Sequence, residues 1–332
     1  MDLEPPTRIT PELDLPSRAS QRVLRELRRL AQHVAISVCL VGPSGTGKSL
    51  YAREIHRLSP RRHGPYVYLN LAAVPKGLVS AEIRGHQRGA FTGAIDRRDG
   101  RVLRASGGTL VLDEIAKSSR HAQHELLQLF DRAPITSLGG DQEMAFDARL
   151  VALSSLPLAQ AVSAGSLIPD LYERLKPFVL EIAPLSQRPE DVPVVFEAAI
   201  RRHAASFGYS APPHLDASLL SYLQLQEFSG NHREVDGIAQ RVLASAAGVP
   251  VLRIRHLPQL RTPSAPSVRS KRERYETDRE SGAVRRFATI REEAGFYGVS
   301  EATMHRWKRE RRTGEGKREA NLADLSHDSH DD

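Results

Sequence analysis

The run Gly42-Pro43-Ser44-Gly45-Thr46-Gly47-Lys48-Ser49, followed by Leu50 and preceded by an apolar stretch over residues 36–41, constrains this 332-residue chain more than any other feature. It has the spacing of a phosphate-binding loop set between a buried strand and a helix. Glycines admit positive φ and let successive backbone N–H groups close on phosphate oxygens, while the following helix contributes the positive end of its dipole. Lys48 supplies a point charge for the β- and γ-phosphates, and the Ser49 hydroxyl is a ligand for a bridging Mg2+ ion. Residues 42–50 are therefore candidates for nucleotide contact, with ATP and Mg2+ implied. The competing reading is a glycine-rich turn with a chance lysine.

The flanking pattern suits such a loop. Residues 17–34 read as a basic amphipathic helix, with Val23, Leu24, Leu27, Leu30 and Val34 on one face, expected to pack on the edge of the nucleotide domain. A helix is expected over 49–58 and strands over 65–70, 109–113 and 148–153. Strands alternating with helices imply a mainly parallel α/β sheet covered on both faces. From about Pro184 the pattern is helical only, over 192–203, 216–225 and from Gly230-Asn231 to Ala246, which suggests a small helical lid. The expected organisation is a flexible arm over 1–16 with no room for a sensor domain, an α/β core over 17–183, and the lid over 184–260. A Pro- and Ser-rich linker then spans 261–275 and a strongly basic segment 276–318. Residues 319–332 carry five carboxylates and no Lys or Arg, and are expected to be disordered.

Composition excludes several classes. The chain is 40% hydrophobic and 26% charged, and its apolar runs fall far short of a span of about 18 residues. Its acidic first residues do not resemble a targeting signal, so a cytoplasmic location without membrane insertion is expected. A lone cysteine, Cys39, excludes an intramolecular disulfide and is expected to fill the core. A formal charge of +7 favours a polyanionic partner, a solvated basic face being the alternative.

The strand over 109–113 ends in Asp113 and Glu114. Opposite Lys48, Asp113 would hold the hydration shell of Mg2+ and Glu114 would orient and polarise an attacking water. Taken alone, the two carboxylates could equally cap the next helix.

Residues 82–94 read E-I-R-G-H-Q-R-G-A-F-T-G-A and contain the hexapeptide Gly89-Ala90-Phe91-Thr92-Gly93-Ala94. Also present are I-H-R-L-S-P-R-R (55–62), G-G-T-L-V-L-D-E-I (107–115), D-L-Y-E-R-L (170–175) and G-N-H-R-E-V (230–235). Over residues 41–246 the chain thus resembles the bacterial enhancer-binding proteins, AAA+ ATPases that activate sigma-54 RNA polymerase. The resemblance implies an AAA+ parallel-sheet ATPase with a helical lid, assembled into a homo-oligomeric ring, a hexamer as in relatives. It implies that the hexapeptide loop engages the sigma factor, with Phe91 as an exposed anchor. Asn70 would be the switch asparagine that restrains Glu114, Arg174 an arginine finger acting in trans, and Arg233 the lid arginine on the nucleotide. Arg101 and Arg104 would sit at the subunit interface.

The departures are as specific. Ile168 stands where relatives carry an arginine six residues before the finger, and Pro169 follows it. Ser154-Ser155 replaces Thr-Asn, and Phe228-Ser229 replaces Trp-Pro. A missing trans-acting cation predicts slow or conditional hydrolysis.

Residues 292–312 resemble a helix-turn-helix. Ala294 would sit at the helix crossing, Gly298 in the turn, and Tyr297, Val299, Met304 and Trp307 on the inner face. Ser300 would cap the second helix, presenting Glu301, Ala302, Thr303, His305 and Arg306 to the major groove, with Lys308, Arg309, Arg311 and Arg312 on phosphates. A solvated basic helix is the alternative. Two functions follow. One is a sigma-54-dependent activator bound to upstream enhancer sites on DNA and governed by a regulatory partner protein, by concentration or by the arm. The other is a DNA-binding regulator with a weak or vestigial ATPase, in which ATP is an assembly ligand. Ile168 and Ser155 favour the second; Glu114 and the intact hexapeptide favour the first.

Overall fold

A computed structural model describes residues 10–257, 289–290, 301–306 and 308, and the chain divides after Pro258 into two compact units. In the first unit, strands β1 (Val38–Val41), β2 (Tyr66–Asn70), β3 (Thr109–Asp113), β4 (Arg149–Ser154) and β5 (Val179–Glu181) form a parallel sheet in the order β2-β3-β4-β1-β5. Strands β1 and β4 are buried along their whole length, so they read as continuous runs rather than alternating ones. This order sets the ends of β1, β3 and β4 side by side, and the phosphate loop, the acidic pair and Ser155 all leave the sheet at one edge. Strand β5 escaped the sequence reading because its three residues carry no periodic signal.

Helices α1 (Arg18–Ala31), α2 (Lys48–Arg57), α3 (Val79–Arg84), α4 (Arg101–Arg104), α5 (Arg120–Phe130), α6 (Leu158–Ser163) and α7 (Pro169–Leu175) flank the sheet. On one face Leu24, Leu27, Leu30, Tyr51 and Ile55 pack with Leu40, Val111 and Val151. On the other, Ile83, Leu126, Leu129 and Leu171 pack with Cys39, Leu110, Leu112 and Leu150. Each such side chain contributes roughly 1.5–3 kcal/mol of burial. Cys39 is the expected core residue, and burial pushes its thiol up to about 12, so it stays protonated.

Helix α1 is fixed at each end. The Ser17 hydroxyl accepts from the Ser20 N–H at its start. At its finish the fully buried Arg149 donates to the carbonyls of Leu30 and Ala31, each at 2.7 Å. Burial pushes Arg149 down to about 10, which leaves it charged at neutral pH against the negative end of the helix.

Two expectations need correction. The arm expected over 1–16 is docked from Thr10 onward: Thr10 donates its N–H to Glu54 at 3.2 Å, and Leu13 and Leu15 are buried. Two leucines spaced by one residue anchor it despite the prolines. The lid, α8 (Val192–His203), α9 (Ala217–Gln224) and α10 (Asn231–Ser245), packs through Phe196, Leu219, Val235 and Ile238. It is not purely helical, because His214–Leu215 pairs in parallel with Val251–Leu252.

In the second unit, residues 301–306 are helical; Met304 is buried, and Glu301, Ala302, His305 and Arg306 are exposed. Ser300, Trp307, Arg309, Arg311 and Arg312, the linker and the acidic tail lie outside the described residues. Among the described residues no helix is long and apolar enough to cross a membrane.

Candidate nucleotide site and sigma-factor loop

The phosphate loop turns through Gly45 (φ 80°) and Gly47 (φ 97°) into α2, whose first residue is Lys48. A cavity of about 340 Å³ opens beside it, lined by Ser44, Gly45, Gly47, Lys48, Ser49 and Leu50, by Asp113 and Glu114, and by Arg202, His232, Arg233 and Asp236 of the lid. Gly42, Pro43 and Thr46 are not part of this lining; Thr46 is fully buried and donates to the Pro43 carbonyl at 2.9 Å. The Lys48 ammonium donates to the carbonyls of Gly42 (2.6 Å) and Pro43 (3.0 Å). Burial lowers its pKa, and the charges of Glu114 and Asp113 oppose that shift. Positive-φ glycines, a helix N-terminus and a buried ammonium together fit a polyphosphate. Ser49 and Asp113 offer oxygen donors to the same cavity, the set a hard divalent cation such as Mg2+ takes.

Asp113 is already engaged: one oxygen accepts from the Glu114 N–H at 2.7 Å and the other from the Tyr68 hydroxyl. Glu114 accepts from the Ser155 hydroxyl at 2.6 Å and pairs with Lys117 at 3.1 Å. Burial would raise the Glu114 pKa, but the hydrogen bonds from Ser155 and Lys117 outweigh it and hold the carboxyl below its usual range. Asn70, expected on Glu114, instead accepts from the Ala72 N–H at 3.0 Å and caps a single 3-10 turn.

The lid grips the loop directly. The His232 N–H donates to the Gly45 carbonyl (3.0 Å), the Asn231 amide to the Ser44 carbonyl (3.0 Å), and Arg233 to the Ser44 hydroxyl (2.5 Å). A Cβ on Gly45 would lie 2.3 Å from the Gly230 carbonyl, so only glycine admits this approach. Arg188, buried, donates to the Thr46 carbonyl (3.0 Å) and the Ser20 hydroxyl (3.0 Å), and pairs with Asp191 (3.3 Å). Burial, with Arg188 beside it, pushes His232 down to about 3; the neutral ring accepts from Arg188 at 3.2 Å. Sequence reasoning missed Tyr68, Arg188, Asp191, Arg202 and His232. The one local signal was the Arg-x-x-Asp spacing at the entry to α8.

The hexapeptide occupies a separate projection. The short antiparallel strands Gly85–His86 and Arg98–Asp99 carry it. It is closed by Gly89 N–H to the Ala94 carbonyl (2.8 Å) and Ala94 N–H to the Phe91 carbonyl (3.0 Å). Gly93 has φ 101° with open space around it, so its backbone alone demands glycine. Phe91 is 36% exposed and meets His86 edge-on at 5.0 Å, Thr92 is exposed, and Ala94 is buried. A second hairpin, Ile135–Thr136 with Glu143–Met144, lies alongside through Gln87 N–H to the Leu138 carbonyl at 2.9 Å. No sequence signal announced it.

Residues 14–181 match the family described as the Sigma-54 interaction domain. The chain belongs to this family. It is 40% identical over 231 residues to the DNA-binding transcriptional regulator NtrC of Bradyrhizobium sp. (strain RP501 Parasponia), covering 69% of this chain and 47% of that one. It is 38% identical over 224 residues to the sigma54-dependent transcriptional activator SfnR of Pseudomonas putida, covering 68% of this chain and 61% of that one. The solved structure of NtrX from Brucella abortus in complex with ATP superposes with a TM-score of 0.65 at 26% identity, over 92% of this chain and 69% of that one. The chain spans about half the length of its NtrC relative.

Within this sigma-54 interaction domain, two arginine expectations take a definite form. Arg174 is exposed, lies outside the cavity lining, and is held by Asp131 at 2.6 and 3.0 Å, which raises its pKa. Arg101 pairs with Glu82 at 3.0 Å. Ile168 is only 7% exposed, packed in the core at the start of α7 with its N–H on Gln123 at 2.8 Å. The isoleucine that stands in place of an arginine here is part of the core.

Proposed function

We propose that the chain is an activator of sigma-54 RNA polymerase that binds and hydrolyses ATP in a homo-oligomeric ring, a hexamer, in the cytoplasm. The observation that supports it best is the convergence of Lys48, Asp113 and Glu114 on one cavity while Phe91 and Thr92 stand exposed on a separate hairpin. Glu114 would take a proton from water as its oxygen attacks the γ-phosphorus, and the bond to the ADP leaving oxygen breaks. Mg2+, held through Ser49 and Asp113, would supply the charge that stabilises the leaving oxygens. Lys48 and Arg233 would bind the phosphates from the loop and lid sides, and Arg174, released from Asp131, would serve the neighbour's site. Residues 301–306, with Lys308, would contact DNA at upstream enhancer sites, and a regulatory partner protein would set the activity.

Glu114→Gln tests this reading: ATP stays bound while turnover falls by about 100-fold or more. Hydrolysis at the parent rate would remove Glu114 from the reaction. The second reading, a DNA-binding regulator using ATP only as an assembly ligand, draws on Ile168 and Ser155. It is favoured instead if the parent chain binds ATP and oligomerises without turnover at any protein concentration.

A further inference from the structure

Most of the chain's net positive charge lies in the first unit. Residues 1–258 carry 31 Lys and Arg against 26 Asp and Glu, whereas residues 259–332, which include the segment resembling a helix-turn-helix, carry 16 against 14. Helix α1 concentrates that excess, with five arginines and one glutamate in its 14 residues. Leu24, Leu27 and Leu30 are buried against the sheet, and all five arginines are exposed on the opposite side. Arg18, Arg22, Arg25 and Arg29 follow one another at steps of four, three and four residues, so they form one stripe about 16 Å long, with Arg28 beside it. Elsewhere in the unit Arg57, Arg61, Arg84, Arg101 and Arg174 each meet a carboxylate. On α1 only Arg29 does, with Glu26 at 2.9 Å; Arg18, Arg22, Arg25 and Arg28 have no hydrogen-bonding or ionic partner among the described residues.

We propose that the outer face of α1 binds the sugar–phosphate backbone of duplex DNA without regard to sequence. This contact belongs to the first unit itself and is distinct from the one proposed for residues 301–306. Like charges three and four residues apart on a helix repel, and a polyanion laid along the stripe relieves that repulsion. Guanidinium groups bind phosphate oxygens bidentately, so the stripe needs only a row of phosphates to complement it. A duplex carries one negative charge per about 1.7 Å of its axis, which places about ten along the length of the stripe. The helix has no aromatic side chain on which unpaired bases could stack, which favours a duplex over a single strand. Its apolar residues are committed to the core, so it lacks the inserting face of a helix that lies in a membrane surface.

The test uses the full chain and a random-sequence DNA duplex, with affinity measured over a salt series. Combining Arg18→Gln, Arg22→Gln and Arg25→Gln lowers affinity at about 50 mM salt by at least about tenfold and flattens the slope of log affinity against log salt by about 2 to 3, since each phosphate contact contributes about 0.9. Combining Arg18→Lys, Arg22→Lys and Arg25→Lys keeps the slope, because the charges remain. The three side chains are exposed and unpaired, so both variants keep the fold, with Tm within about 2 °C of the parent. A slope changed by less than about 1, or a parent with no affinity for this duplex, overturns the proposal. Phosphatidylglycerol vesicles replace DNA in a second arm. Vesicle binding that the glutamine variant loses while its DNA slope stays at the parent value assigns the stripe to a membrane surface and overturns the proposal. Sedimentation of both variants is the third arm, and loss of oligomerisation together with DNA affinity in the glutamine variant assigns the stripe to a subunit contact and overturns it too.

Discussion

The junction between lid and phosphate loop and the hexapeptide projection are built on opposite principles. At the junction, backbone meets backbone at Gly45 and Gly230, and Arg188 and Asp191 are buried with hydrogen bonds running to three elements. In the projection, Phe91, Thr92 and Gly93 are exposed, and the turn is closed mainly by its own backbone. On the proposed function, a nucleotide arriving at the junction would disturb a tightly interlocked set of contacts, and its binding energy would thereby bias the position of the lid. The projection can move because little holds it, and a segment with few buried contacts opens at low free energy. On the same proposal, energy would be received where packing is dense and delivered where it is sparse.

Removing Arg188 should break the contrast most severely. Arg188→Ala leaves the Asp191 carboxylate buried with no cation, and a loss of about 3–5 kcal/mol in unfolding free energy is expected. A Tm equal to the parent's would show that the junction is not the interlocked element described. Acid should act at the same place. His232 titrates near 6.5 when unfolded and is pushed down to about 3 when folded, so below pH 6.5 the unfolded chain binds the proton first. Stability is full above pH 6.5 and falls as pH drops through that window, by on the order of 2 kcal/mol at about pH 5. His232→Gln, which keeps an acceptor for Arg188, should flatten this dependence in denaturant titrations; an unchanged slope would refute it.

The projection should respond more mildly. Gly93→Ala strains a backbone at φ 101° without any clash, so about 1 kcal/mol is expected, confined to local hydrogen exchange in residues 89–94. Protection lost across the sheet would contradict the separation. Thr92→Ala should be nearly silent in stability, within about 0.5 kcal/mol, and keep ATP turnover within about twofold. Open-complex formation with sigma-54 polymerase should nonetheless disappear. Normal transcription from Thr92→Ala would end the proposed role of the loop, and loss of hydrolysis with it would show that the loop supports the fold.

The sequence by itself determined the phosphate loop, the acidic end of β3, the parallel α/β class and the hexapeptide. Each is written in contiguous residues whose spacing matches a backbone requirement. Gly42, Gly47, Lys48 and Ser49 need no partner from elsewhere to be recognised. What surrounds them was decided by the tertiary structure, because it joins residues far apart in the chain. Ser155 meets Glu114 only when β4 lies beside β3, Arg188 reaches Thr46 only when the lid closes on the loop, and Leu13 is buried only once it packs with Leu24, Leu27 and Leu30 of α1. Ile168 and Asn70 show the same dependence: local comparison assigned them a missing charge and a switch contact, neither of which says where the side chain packs. The packing of α7 and the turn after β2 decided that the first is core and that the second caps a turn, since a side chain takes the partners its three-dimensional neighbours leave it.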